Sequence, residues 1–495
     1  MINDLVFKAP EAEGISSEHI LEFVRKMKRM KVNLHSFLMA RHGNIVAEAY
    51  VEPFDKDFRH RIYSCSKSYV SLAVGRLITE GNLSLDDKPF DLMPELASAE
   101  PDLWLKNTTV EEALKMSVPM LGDTYRDHDT VSWAESFFSH PVHSKSVKPS
   151  GTVYNYNTSG SFILDVLVQK ITGMTFLEYL RPVFDKIGVA EDIWCVESPD
   201  GYPWGGSGVM TTLRDFAKVA EFLLNKGNCN GEQLISREYM EKATSKQISN
   251  LNSNSFDPLR KSGYGYQVWV TDAGFAMLGM GSQLAFCFPE RDFIFVCNAD
   301  TQGAEYSPHS YIYEAVKGQV YDKMIDKALP SDSKAHERLC KELSHLSFIE
   351  DYGASHSSLE DSICGKKFIL NANLMGWKWV SFKFEEDKGI LTYENTRGVK
   401  SITFGCGKMN RGTFPETHYY DRRVDTPCGR EFDCLFIGNW VSEYQLMVRS
   451  YVIDICFGNC VMNFGFKGNE IGIYVNKVAE FFMDDYVGYA GGVCE

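Results

Sequence analysis

The spacing of apolar residues changes once along this sequence, and that change limits what the chain can fold into. Before about residue 326 the dominant spacing is helical. Ile20, Phe23, Val24 and Met27 recur at i, i+3, i+4 and i+7 behind Ser16-Ser17, which predicts an amphipathic helix over 17–28. Val70, Ala73, Val74, Leu77 and Ile78 predict another over 69–80, stopped by Gly81-Asn82. Segments 161–180 and 211–225 read as further helices. The runs 36–41 and 45–51 flank His42-Gly43-Asn44 and read as a β-hairpin, while 265–271, 283–288 and 293–298 read as strands of one sheet. Beyond residue 362 the spacing falls to two. Phe382 and Phe384 alternate with Ser381, Lys383 and Glu385, and 444–457 and 461–466 are aromatic and β-branched ahead of Lys467-Gly468-Asn469. The breaker cluster 328–333 and the polar stretch 352–361 separate the two regimes. The expected architecture is α/β (α+β): a sheet with packed helices over 1–326, a linker with a short helix over 327–362, and an all-β barrel or sandwich over 363–495.

With 51 Lys and Arg against 66 Asp and Glu, the net charge is −15. A nucleic-acid or anionic-membrane partner needs clustered cations, so neither is expected. No window approaches the roughly 20 apolar residues that cross a bilayer. Met1-Ile2-Asn3-Asp4-Leu5 has neither a basic nor an apolar signal region, and the thirteen cysteines include no C-x-x-C pair. A cytoplasmic location is the expectation. His140-Pro141-Val142-His143 and Asp127-His128-Asp129 could be taken for metal ligands, but proline breaks the spacing and no Cys/His set accompanies them. We therefore expect no metal and no cofactor, with an oligomer of the chain left open.

Chemistry concentrates at Ser64-Cys65-Ser66-Lys67, an S-x-x-K tetrad leading into the 69–80 helix. Three residues are nearly one helical turn, so hydroxyl and amine share a face within hydrogen-bonding reach. The helix N-terminus favours developing negative charge there, and a lysine buried beside a serine can act as its base. A second tetrad, Ser331-Asp332-Ser333-Lys334, lies among breakers with no apolar helix behind it and reads as solvated loop.

Arg61-Ile-Tyr-Ser64-Cys-Ser-Lys67-Ser68, Glu80-Gly-Asn-Leu-Ser-Leu-Asp-Asp87, the 151–158 run Gly-Thr-Val-Tyr-Asn-Tyr-Asn-Thr, the 171–180 run and Gly205-Gly-Ser-Gly-Val-Met-Thr-Thr-Leu-Arg-Asp215 occur in one order. Together they resemble the serine β-lactamase-like superfamily: class C β-lactamases, family VIII esterases, D-aminopeptidases and nylon-oligomer hydrolases. The chain looks closest to cytoplasmic Gram-positive serine hydrolases with a C-terminal β domain. The resemblance runs from about Pro10 to Asp322. It implies an antiparallel sheet with a helical subdomain, and Ser64, Lys67 and Tyr156 as catalytic residues. Tyr156 follows from anchoring the family's Tyr-x-Asn motif on Gly151-Thr152; Tyr154 fits less well and reads as core. The motif's asparagine position holds Thr158, so a substrate-positioning amide is either missing or supplied by Asn157. The third motif, a cation followed by Thr/Ser-Gly, falls on Met277-Leu278-Gly279. Gly279 would let the backbone approach the acyl group, and the Met280 N–H would join that of Ser64 as the oxyanion hole. Core packing is the alternative reading of Met277 and Met280. Trp204 either lines the pocket or braces a turn.

The expected function is cleavage of a small ester or amide through an acyl-enzyme on Ser64, with poor β-lactamase activity because the third-motif cation is absent. A D-aminopeptidase or β-lactamase-like peptidase is the alternative within the class. Outside it stands a non-catalytic binding or scaffold protein with a degraded third motif.

Overall fold

The computed structural model describes residues 6–97, 100–124, 132–253, 257–304, 307–346, 353–416, 431–479 and 486–495. The chain divides into two compact units, Met1–Phe348 and Ile349–Glu495.

The first unit is built on a seven-stranded sheet. Its strands are β1 (Val6–Phe7), β2 (Leu34–Arg41), β3 (Asn44–Tyr50), β7 (Trp269–Val270), β8 (Phe275–Gly279), β9 (Gln283–Phe288) and β10 (Phe293–Ala299), in the order β1-β3-β2-β10-β9-β8-β7. A small second sheet joins β4 (His60–Arg61), β5 (Trp194–Cys195) and β6 (Val209–Thr211). All main-sheet pairings are antiparallel except the short β1–β3 pair.

Helix α1 (Ser17–Arg29) buries the predicted stripe Ile20, Phe23, Val24 and Met27 on one face of this sheet, capped by the Ser16 side chain. Phe23 meets Phe37 and Phe295 edge-on at 5.5 and 5.4 Å. Truncating such a fully buried ring costs about 3–5 kcal/mol. Helix α2 (Ser66–Thr79) packs against α3 (Thr158–Thr172) and α4 (Phe176–Ile187), while α5 (Leu213–Leu224) lies on β9 and β10 and α6 (Pro308–Gln319) on α1.

Three local expectations are corrected. The predicted 161–180 helix is two helices, because Gly173 takes a left-handed cap (φ 71°) and Thr175 with Glu178 forms a capping box that starts the second. The predicted 265–271 strand survives only at 269–270. Gln267 has φ 60°, and its side chain bonds the Ala113 and Leu114 carbonyls and the Ser161 hydroxyl, which removes it from any ladder. The second tetrad does precede a helix: Asp332 caps α7 (Ser333–Leu343), which buries Ala335 and Leu339 one turn apart. That helix belongs to the first unit, tied to α1 by Lys28–Glu342 and Arg338–Glu18 ion pairs.

The second unit is all-β. Among the described residues, ten strands from Lys367–Leu370 to Gly488–Cys494 follow one another by hydrogen bonding, and a parallel pairing of Gly405 with Ile437 closes the sheet into a barrel. Period-two burial fills its interior: Gly389, Leu391, Tyr393 and Asn395 are buried on one strand while their neighbours face outward. Among the described residues no single helix is long and apolar enough to cross a membrane.

A buried imidazole pair links β2 to β4: His35 Nδ1 lies 2.8 Å from His60 Nε2, with Phe54 stacked on His35 at 4.1 Å. One ring must donate and the other accept, so the two cannot both be charged, and burial holds both imidazoles below their ordinary pKa. Burial lowers the His60 pKa from 6.5 to about 3. The unfolded chain protonates this ring near 6.5 while the fold resists, so its contribution is complete above that pH and is lost as pH falls toward about 3. Thermal midpoints should decline over this interval, and His60→Gln should flatten the decline. Equal slopes in the two proteins would contradict this account.

Candidate active site

The nucleophile candidate sits on a bent approach. Strand β4 leads into a single 3-10 turn, Tyr63–Cys65, before α2 begins at Ser66. Tyr63 is held at φ 45°, an uncommon left-handed conformation for a bulky residue immediately before Ser64. Around it the backbone is pinned. The Ser66 hydroxyl accepts from the Val209 N–H, and Ser68 donates to the Gln267 carbonyl. Cys65 Sγ donates to the Gln283 carbonyl. Ser64 itself is half-buried.

Lys67 lies in the first turn of α2 and is 1% exposed. Its Nζ donates to Ser64 Oγ at 3.1 Å and to the Gly206 carbonyl at 2.6 Å. The Tyr156 ring covers the same amine, with its centroid 5.0 Å from Nζ. Among the described residues no hydrogen bond joins the Tyr156 hydroxyl to Ser64 or Lys67. A hydroxyl and an amine one helical turn apart thus meet the ring face of a tyrosine from a separate segment. Trp269 stacks on Tyr156 (5.5 Å, 21°), Tyr264 meets both edge-on, and the Arg260 guanidinium lies 5.4 Å over Trp269. This aromatic wall was missed in the sequence, where Trp269 was read as part of a strand over 265–271 and Tyr264 was not singled out; the cluster Tyr264, Tyr266 and Trp269 was the available signal. Tyr154 is 4% exposed and packs on Tyr264, and burial pushes its phenol pKa up.

Strand β8 runs beside the nucleophile turn. A Cβ on Gly279 would stand 2.4 Å from the Ile62 carbonyl oxygen and 3.3 Å from Cys65 Sγ, so only glycine permits the approach. His309, from the first turn of α6, hydrogen-bonds the Gly279 backbone; burial holds this imidazole below its ordinary pKa despite the opposing pull of Asp257. The N–H groups of Ser64 and Met280 have no acceptor among the described residues. The two methionines part company: Met277 is 1% exposed and packed, whereas Met280 is 39% exposed.

The remaining candidates hold other positions. Asn157 is fully buried and caps α3: its Oδ1 accepts from the Gly160 N–H at 2.7 Å and its Nδ2 donates to the Gly122 carbonyl at 2.6 Å. Asn157→Ala should lower stability by about 1–2 kcal/mol and leave KM for a small ester unchanged; a raised KM without a stability change would contradict the cap assignment. Thr158 is buried with its methyl group against Gly206. Trp204 is buried edge-on against Trp133, beneath the Arg61 guanidinium, and braces the turn. His140 Nδ1 accepts from the Val142 and His143 amides, and Asp127-His128-Asp129 lies outside the described residues.

The Beta-lactamase family model matches residues 28–315, more than half of the chain. The chain belongs to the Beta-lactamase family. The 6-aminohexanoate-dimer hydrolase of Paenarthrobacter ureafaciens is 26% identical to it over 222 residues, 42% of this chain and 56% of that protein. The chain therefore spans a little over half the length of this curated relative. Among solved structures, the octameric penicillin-binding protein homologue from Pyrococcus abyssi is similar at a TM-score of 0.49 and 16% identity, covering 96% of this chain and 99% of that one. A family VIII carboxylesterase reaches 0.47 at 16% identity, covering 63% and 98%. Within this Beta-lactamase family member, the matched segment contains Ser64, Lys67, Tyr156, Gly206 and Gly279.

Proposed function

We propose that this chain is a serine hydrolase that cleaves small esters or amides through an acyl-enzyme on Ser64. The observation that carries the reading is the 3.1 Å contact between the Lys67 amine and the hydroxyl of a half-buried Ser64. Ser64 Oγ adds to the substrate carbonyl while Lys67 accepts its proton. The N–H groups of Ser64 and Met280 hold the oxyanion, as charge stabilisation that needs no side chain. The proton Lys67 has taken passes to the departing alkoxide or amine, with the Tyr156 phenol that lies against the amine as relay; water then adds to the acyl carbonyl, giving its proton to Lys67, and Ser64 departs by taking that proton back, which restores both groups. The curated relative's name, a hydrolase of a 6-aminohexanoate dimer, supports a small-molecule substrate.

Met277 stands where the family resemblance places a cation, so a substrate carboxylate loses that partner and an uncharged ester or amide is favoured. The expected result is a kcat/KM for p-nitrophenyl butyrate at least about a hundredfold above that for nitrocefin, on the order of the 3 kcal/mol a charge-assisted contact supplies. Faster turnover of nitrocefin would overturn the substrate assignment.

A further inference from the structure

The catalytic amine is held by the backbone carbonyl of a glycine on a loop, so what fixes that loop matters. Residues 204–207 are gripped from two sides by fully buried polar side chains. From α3, Asp165 is 0% exposed and its Oδ2 accepts from the Gly205 N–H at 3.2 Å. From β4, Arg61 is also 0% exposed, and its Nε donates to the Ser207 carbonyl at 2.9 Å. Between these two grips lies Gly206, whose carbonyl accepts from Lys67 Nζ. The fit is close: a Cβ on Gly205 would stand 2.5 Å from Val70 Cγ2 and 3.0 Å from the Asp165 carboxyl, and one on Gly206 would stand 2.5 Å from Thr158 Cγ2. The loop is thereby wedged between the helix that bears Lys67 and the helix that begins just after Tyr156.

We infer that Asp165 is a positioning residue for Lys67, acting with Arg61 to clamp the 204–207 loop so that the Gly206 carbonyl fixes the amine against Ser64. The inference rests on the proposed serine-hydrolase reading and assigns the clamp no contact with substrate. A carboxyl group sealed at the core of a helix pair is costly unless its interactions outweigh desolvation, and burial drives the Asp165 pKa far above the usual range. Burial thus favours the protonated form, and the one hydrogen-bond partner of this carboxyl among the described residues is the loop amide. Its sequence position gave no warning, because an aspartate inside the apolar run Phe162-Ile-Leu-Asp165-Val-Leu-Val168 belongs to no motif.

The test is the acylation rate of purified full-length protein with p-nitrophenyl butyrate, with Ser64→Ala as the blank. Asp165→Leu keeps the γ-branched shape with bulkier branches and removes the acceptor, leaving the Gly205 N–H unpaired. Its kcat should fall about thirtyfold with KM within twofold of wild type. Asp165→Asn keeps an acceptor oxygen and should retain at least a third of the wild-type kcat. If Asp165→Leu does not fold, Arg61→Met loosens the loop from its other side and should show the same kcat-only loss. A folded Asp165→Leu, or in its absence a folded Arg61→Met, acylating at the wild-type rate would overturn the clamp. So would an Asn variant as slow as the Leu variant. Failure of the wild-type protein itself to acylate above the Ser64→Ala blank would instead strike the hydrolase reading, so the two failures are distinct.

Discussion

Ser64→Ala abolishes turnover of p-nitrophenyl esters, with an expected loss of at least about a thousandfold, leaving only what binding and oxyanion stabilisation supply. The size follows from how the residue is held. The strained Tyr63 backbone, the Cys65 bond to Gln283 and the Ser66 bond to Val209 aim one hydroxyl at Lys67 from the start of α2. The two nearest serines along the chain cannot replace it. Ser66 and Ser68 are both buried, and both are bonded to backbone groups of other segments. Stability should barely change, since Ser64 is half-buried and its removal leaves no large cavity. A Ser64→Ala protein with more than a tenth of wild-type activity would contradict the account.

Lys67→Met is expected to cost about as much, again about a thousandfold in kcat, because among the described residues the amine is the group that contacts the proposed nucleophile and can take its proton. Groups that act as a unit are not additive, so Ser64→Ala/Lys67→Met should be no slower than Ser64→Ala alone. Methionine preserves the unbranched stem and its packing, while the Gly206 carbonyl loses its donor. Independent contributions, seen as losses that multiply in the double variant, would mean that the two residues do not share one proton path.

How much of this was legible depends on whether the deciding contact is local. The α1 stripe, the edges of α5 and strand β9 were readable because their period and their stop signals lie within a few residues. The Ser64–Lys67 contact was readable for the same reason, being one helical turn. Where the reading stopped short, two causes recur. Some signals were present and outweighed by hydrophobic period: Gly173 and the Thr175–Glu178 capping box divide α3 from α4 inside one long apolar run. Asn157 likewise carried the signature of a helix cap, with its helix directly following, and was weighed as a substrate contact instead. Other features have no local signature. The Gly206 carbonyl reaches Lys67 across 139 residues, and Gln267 joins α2, α3 and the 110–114 helix through a single buried amide and its backbone. Tertiary contacts of that kind set the wall of the site, and one sequence does not encode them as a pattern.

The most direct measurement is mass spectrometry of the protein after reaction with a fluorophosphonate, followed by trypsin. Cleavage after Arg61 and Lys67 isolates the peptide Ile62-Tyr-Ser-Cys-Ser-Lys67. A single adduct on Ser64 in that peptide, absent from Ser64→Ala and much slowed in Lys67→Met, is the predicted result. An adduct on Ser66, on Ser331 or Ser333, or no adduct at all in folded protein would contradict it.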